Sequence, residues 1–154
     1  MKKSILMLSL AGFLFIGCAN QTSITPDGKK YLAVKTTKFN NGKVSSEFLS
    51  TSKDGRSGTL RKYGFNGKVT SNTTMVNGAK HGHETLYDPN GNVLKKTPYV
   101  NGFKQGTEHV YYTGGQIMVS TPYQGNKAHG KAVAYNPNGT VNKTATFNNG
   151  KRIR

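Results

Sequence analysis

The sequence has no tryptophan, one cysteine and six acidic residues against 22 lysines and arginines. Each shortage excludes something. A single cysteine makes no internal disulfide and leaves no cysteine-rich zinc site. Six acids leave little material for paired-carboxylate chemistry. Only 34% of the 154 residues are hydrophobic, where globular chains average about 45–50% apolar with glycine counted. That length suits one domain, but a thick core is excluded. The longest apolar run covers residues 5–16, twelve positions, short of the about 20 that cross a bilayer. No phosphate-cradling or dinucleotide-binding glycine pattern occurs. The 19 glycines fall at turns instead, and a thin, turn-rich β structure follows.

The formal charge of +16 favours anionic partners: nucleic acid, acidic lipid headgroups or acidic polymers. The same charge also serves plain solubility and protects exposed strand edges.

The first 18 residues read MKKSILMLSLAGFLFIGC. Lys2 and Lys3 form a positive n-region, and the twelve apolar positions behind them have the length of a signal-peptide core. Phe15-Ile16-Gly17-Cys18 resembles the lipobox of bacterial lipoproteins. The resemblance implies cleavage after Gly17 and lipidation of Cys18, which explains a lone cysteine in an exported chain. Several acyl chains on one residue anchor stably. Ala19 follows, and by analogy with enterobacterial sorting the lack of Asp there favours the outer over the inner membrane. Residues 1–17 are then the leader and 18–30 a polar, lipid-anchored tether. Losing Lys2 and Lys3 leaves 20 bases against six acids, or +14.

Beyond the tether the chain repeats. Gly58, Gly82, Gly106 and Gly130 are spaced by 24, as are Tyr63, Tyr87, Tyr111 and Tyr135. So are Gly67, Gly91, Gly115 and Gly139, and Val69, Val93, Ile117 and Val141. Met75, Tyr99, Tyr123 and Phe147 form a fifth column. Such periodicity means stacked copies of one supersecondary unit. Asp88-Pro89-Asn90-Gly91 has the residue preferences of a type I turn; followed by a left-handed glycine it makes a three-residue hairpin loop. That register sets Tyr87 across from Val93, Tyr111 from Ile117, Tyr135 from Val141 and Tyr63 from Val69, an aromatic–aliphatic pair in every repeat. The second turns, at 77–82, 101–106 and 125–130, read as longer glycine-rich loops.

The fold class expected is all-β: an elongated antiparallel meander of two-stranded hairpins with a 24-residue period, in a single-layer curled sheet. Residues 58–154 hold four repeats. Residues 31–57 hold a degenerate forerunner, two residues longer between its turns, which predicts a bulge or bent strand there. Strict alternation puts Tyr63, Tyr87, Tyr99, Tyr111, Tyr123, Tyr135 and Phe147 on one face as a candidate binding stripe. One layer cannot bury one face alone, so the sheet must curl, meet a second copy, or hold something against that stripe.

The run Gly106…Tyr111-Tyr112-Thr113-Gly114-Gly115-Gln116-Ile117…Tyr123 resembles the MORN repeat, and more closely its bacterial variant form. The resemblance covers Gly58 onward and weakly reaches Phe39. It lacks the tryptophan of the eukaryotic type. It implies an elongated hairpin array used for protein–protein contact, dimerisation or membrane tethering.

Candidate chemistry is sparse. Glu84 and Glu108 share a column about 9.6 Å apart, at the outer limit of an inverting glycosidase pair; a solvated surface column is the simpler reading. His81 and His83 stand two apart, while His129 lies about 19 Å away and His109 stands alone, so no metal site and no cofactor are expected. Tyrosines interleaved with lysines could stack bases, but export argues against nucleic acid. Lys151, Arg152 and Arg154 are candidates for contact with anionic lipid or polymer, or they cap the last strand. The expected function is a non-enzymatic envelope lipoprotein that binds or scaffolds a protein partner or itself. The alternative is an immunity or exclusion lipoprotein that neutralises an envelope-directed toxin. A cell-wall glycan enzyme comes last.

Overall fold

The computed structural model describes residues 23–24 and 30–154; Gly17 and Cys18 lie outside the described residues. Among these there is no helix. β1 (Ser23–Ile24) pairs with β2 (Lys30–Tyr31) as a small sheet. β1 lies within the stretch read as a tether and β2 straddles its end; each carries a strand former, Ile24 or Tyr31.

The rest forms one open antiparallel sheet of thirteen strands. The forerunner supplies β3 (Ala33–Lys38) and β4 (Val44–Ser50). The repeats supply β5 (Gly58–Tyr63), β6 (Val69–Val76), β7 (Ala79–Tyr87), β8 (Val93–Val100), β9 (Phe103–Lys104), β10 (Gly106–Tyr111), β11 (Ile117–Gln124), β12 (Lys127–Ala128), β13 (Gly130–Tyr135), β14 (Val141–Asn148) and β15 (Lys151–Arg152). The order follows the chain from β3 to β15, with β9 and β12 as short flaps on β8 and β11.

The first turns form as expected. Gly91 N–H donates to Asp88 O (3.0 Å) and Asp88 N–H to Asn92 O (2.9 Å), with Gly91 at φ +93°. The Asp88 carboxylate accepts from the Asn90 and Asn92 amides at 2.8 Å each. Tyr63, Tyr87, Tyr111 and Tyr135 meet Val69, Val93, Ile117 and Val141. The forerunner carries the same turn, closed by Phe39, Gly42 and Lys43. Its two extra residues do not bend a strand: β4 and β5 pair in regular register, and the loop at 51–57 absorbs them. There Asp54 accepts from Ser52 and the Arg56 amide, which hold its carboxyl below the ordinary range.

The second turns are tighter than expected. Asn77-Gly78, Asn101-Gly102, Gly125-Asn126 and Asn149-Gly150 all have positive φ and join directly paired residues such as Val100 and Phe103. These are two-residue hairpin turns of the type that Asn-Gly favours. Each hangs on the repeat before it: Gly78 N–H donates to Arg56 O (2.7 Å), Gly102 to Lys80 O (2.8 Å), Asn126 to Lys104 O (3.1 Å) and Gly150 to Ala128 O (2.8 Å).

One feature of the register overturns the single stripe. Tyr87 pairs with Val93, yet Leu86 pairs with Lys95, so Leu94 is an extra residue on β8. Thr70, Met118 and Asn142 are extra in the same way. A bulge puts two residues against one, which reverses the side-chain alternation beyond it. Tyr63, Tyr87, Tyr111 and Tyr135 therefore occupy one face. Tyr99, Tyr123 and Phe147 occupy the other, with Glu84, Glu108 and Ala132. Of the buried residues, Ser71, Thr73, Thr97, Glu108 and Ala132 lie on this second face. Only Tyr31, Leu49 and Ala132 are buried apolar side chains among the described residues, the thin core that the composition dictates.

Candidate functional site

The tyrosine face is a ridge of four rings that advances about 9.6 Å per repeat. Each ring stands across from its aliphatic cross-strand partner and is half-buried. Tyr63 donates to Glu47 Oε2 at 2.5 Å; burial, and then this carboxylate, push the phenol's pKa up. Asn72 Nδ2 donates to the Tyr87 hydroxyl at 3.3 Å, and Arg61 Nε to Asn72 Oδ1 at 3.3 Å. His109 shares a hydrogen bond with Ser120 (3.0 Å) beside Tyr111. Open grooves lie on either side of Tyr87. One, of about 550 Å³, has Tyr87 and Tyr111 as walls and Lys96 at its base. Another, of about 500 Å³, runs from Tyr87 to Arg61 and Lys68. Cations thus flank Tyr87 on both sides.

The opposite face carries a different set. Lys80 Nζ meets Glu84 Oε1 at 2.7 Å and sits 4.7 Å from the centre of the Tyr99 ring. Thr73 and the Tyr99 hydroxyl also donate to Glu84, at 3.3 and 3.2 Å. One repeat on, Lys104 meets Glu108 at 2.9 Å and sits 4.6 Å from the centre of the Tyr123 ring. Thr97 donates to Glu108 at 2.8 Å, and Lys95 stands 3.9 Å away. Burial pushes both carboxyls up, but the lysine hydrogen bonds and charges outweigh it, and both end below the ordinary range. Both lysines are correspondingly raised, their carboxylates outweighing burial.

These carboxylates are therefore held ionised, the opposite of a general acid kept protonated. Each is spent on lysine: Glu84 on Lys80, Glu108 on Lys104 and Lys95. They act as pillars of a repeated cation–carboxylate–tyrosine contact. Residues four apart on a regular strand lie about 13 Å apart, so the spacing gave no signal for this contact; the irregular register beside Lys80 brings it to Glu84.

In the next repeat the same columns turn apolar. Ala128, Ala132, Ala145 and Phe147 replace lysine, glutamate, threonine and tyrosine, and line a groove of about 430 Å³. Arg152 and Lys143 stand at its rim. The basic cluster is drawn to this end. Lys151 and Arg152 form β15, and the Arg154 carbonyl accepts from Thr146 N–H at 3.0 Å. All three side chains are exposed.

The histidines are not brought together. His81 Nδ1 lies 3.3 Å from Asn101 Oδ1 and 3.5 Å from its amide. His129 Nδ1 lies 3.5 Å from the Asn149 amide. Ser57 and Gln105, in the same column, accept from Asn77 and Gly125. This column caps the next tip turn.

Residues 80–101 and 128–149 match the family model described as MORN repeat variant. The two matches begin at Lys80 and Ala128, two periods apart, and each covers one hairpin, β7–β8 or β13–β14. These hairpins are MORN-like repeats, units that serve as binding modules. No curated protein matches the chain.

Proposed function

We propose that this protein is a non-enzymatic, lipid-anchored envelope lipoprotein whose hairpin array docks a protein partner, or a second copy, along the tyrosine face. The observation that carries the reading is the ridge of Tyr63, Tyr87, Tyr111 and Tyr135, half-buried, with cation-lined grooves on either side of Tyr87. Tyrosine presents large contact area at low entropic cost and is enriched where interfaces concentrate their energy. The charge of +14 after the leader assists near anionic surface, at about 1 kcal/mol per charge. Lys151, Arg152 and Arg154 are its densest cluster. The leader and Cys18 support the anchor, and Ala19 the outer membrane.

The test is affinity capture of the tagged full-length protein from solubilised envelope at low and high salt. Alanine at Tyr87 and Tyr111 is expected to abolish capture of a salt-resistant protein, while Tyr99→Ala spares it. Equal loss from either face, or capture of only salt-sensitive anionic lipid, overturns the docking surface.

A further inference from the structure

We infer that the outer edge of β14, with the apolar groove beside it, is a docking site for an extended acidic peptide that adds to the sheet as a further strand. The inference does not depend on the tyrosine ridge.

The interior of the array shows how such an edge is used. Lys96 on β8 pairs with His109 on β10, and Ser120 on β11 with Val133 on β13. Thr144 occupies the same place one period later, and no described strand lies on its outer side. Residues 151–154 fold back only over 146–148. The free backbone groups point outward. Thr146 N–H donates outward to Arg154 O (3.0 Å), and its carbonyl accepts from Ile153 N–H (2.8 Å); two residues earlier, Thr144 has the same orientation. An uncovered edge of this kind is a template for strand addition.

Charge selects the occupant. At the β8–β10 junction, the arriving strand brings Glu108 opposite Thr97, 3.9 Å from Lys95. Ala145 and Lys143 are two periods on from Thr97 and Lys95. A carboxylate arriving opposite Ala145 would find Lys143 where Glu108 finds Lys95. Arg152 adds a second positive charge on the rim. Lys143 has no carboxylate partner among the described residues; Arg152 Nε donates to Arg154 O at 3.0 Å. Ala132, Ala145, Phe147 and Val119 offer an apolar floor. The ligand is thus an extended segment with Glu or Asp opposite Ala145 and an aliphatic residue two positions on, the pattern Glu-x-Val that β10 itself presents. Pairing with β14 of a second copy would bring like charges, both Lys143 side chains, to one seam.

The test uses the full-length protein in detergent and a blocked peptide copying residues 106–112 (GTEHVYY). Expected are saturable binding by fluorescence anisotropy and slowed amide exchange at Thr144. Lys143→Glu should weaken binding about two- to fivefold, the size of a partly exposed ion pair. A peptide with lysine for its glutamate should recover binding on that variant. Thr144→Pro removes an N–H that points away from β13, so it should abolish binding and leave the melting curve in place. No saturable binding, binding indifferent to both variants, protection on the tyrosine face instead, or self-association through β14 each overturns the proposal.

Discussion

Tyr87 and Tyr99 stand on opposite faces of the sheet, although both lie on the β7–β8 hairpin. Tyr87 faces Val93 on one side; Tyr99 faces Gly82 and donates to Glu84 on the other. Leu94, the extra residue between them, is the cause. One inserted residue per repeat gives this array two chemically distinct surfaces.

The tyrosine face should respond to truncation through packing. Tyr111→Ala removes the cross-strand pair with Ile117 and should cost roughly 0.2–1 kcal/mol, read by urea unfolding. An unchanged midpoint with lost partner capture would assign the ring wholly to binding.

The opposite face should respond to pH. Glu84 and Glu108 have depressed pKa values. Their contribution is present above the unfolded value, about 4.3, and is lost as pH falls through the lower folded values. Lys80 and Lys104 are raised. Their contribution is present below about 10.4 and is lost as pH rises through the higher folded values. These four groups add no slope between those limits. Glu108→Gln should flatten the acid limb more than Glu84→Gln, because its side chain is 10% exposed against 20%. Thermal melts across the acid range would check the order.

Two glycines separate strain from clash. A Cβ on Gly91, at φ +93°, meets nothing within 4 Å, so Gly91→Ala should cost about 1–2 kcal/mol of backbone strain alone. A Cβ on Gly58 would lie 2.2 Å from the Leu49 carbonyl oxygen. Gly58→Ala must part β4 from β5. It should release the forerunner, seen as amide exchange rising across 33–50 while the later repeats keep their protection.

Cys18→Ala should leave the protein outside the membrane fraction or held as precursor. Normal membrane fractionation of that variant would remove the lipid anchor from the proposed function.

The hairpin register was legible because turn chemistry fixes it. Asp88, Pro89 and Gly91 leave one loop length, and that length alone sets Tyr87 against Val93. The face of Tyr99 was not legible, because an apolar Leu94 looks like any strand residue and nothing local marks it as supernumerary. The Asn77-Gly78 and Asn101-Gly102 turns carried their own signal. Reading each with the residues up to the next glycine merged a tight turn with the start of the next strand, which after Asn101-Gly102 is a two-residue flap and a break. The glutamate column was visible as spacing; its chemistry depended on which face the tyrosines and lysines share, and so on the bulge.

The tip turns hang one from another, from Arg56 to Gly78, Lys80 to Gly102, Lys104 to Asn126 and Ala128 to Gly150. In this ladder no rung reaches past its neighbour, so there is no keystone. Excising one whole period, such as residues 82–105, would rejoin like with like and shorten the array by about 9.6 Å. Both surfaces would keep their order. The molecule behaves as a ruler whose span is set by counting repeats, independent of the chemistry written on either side.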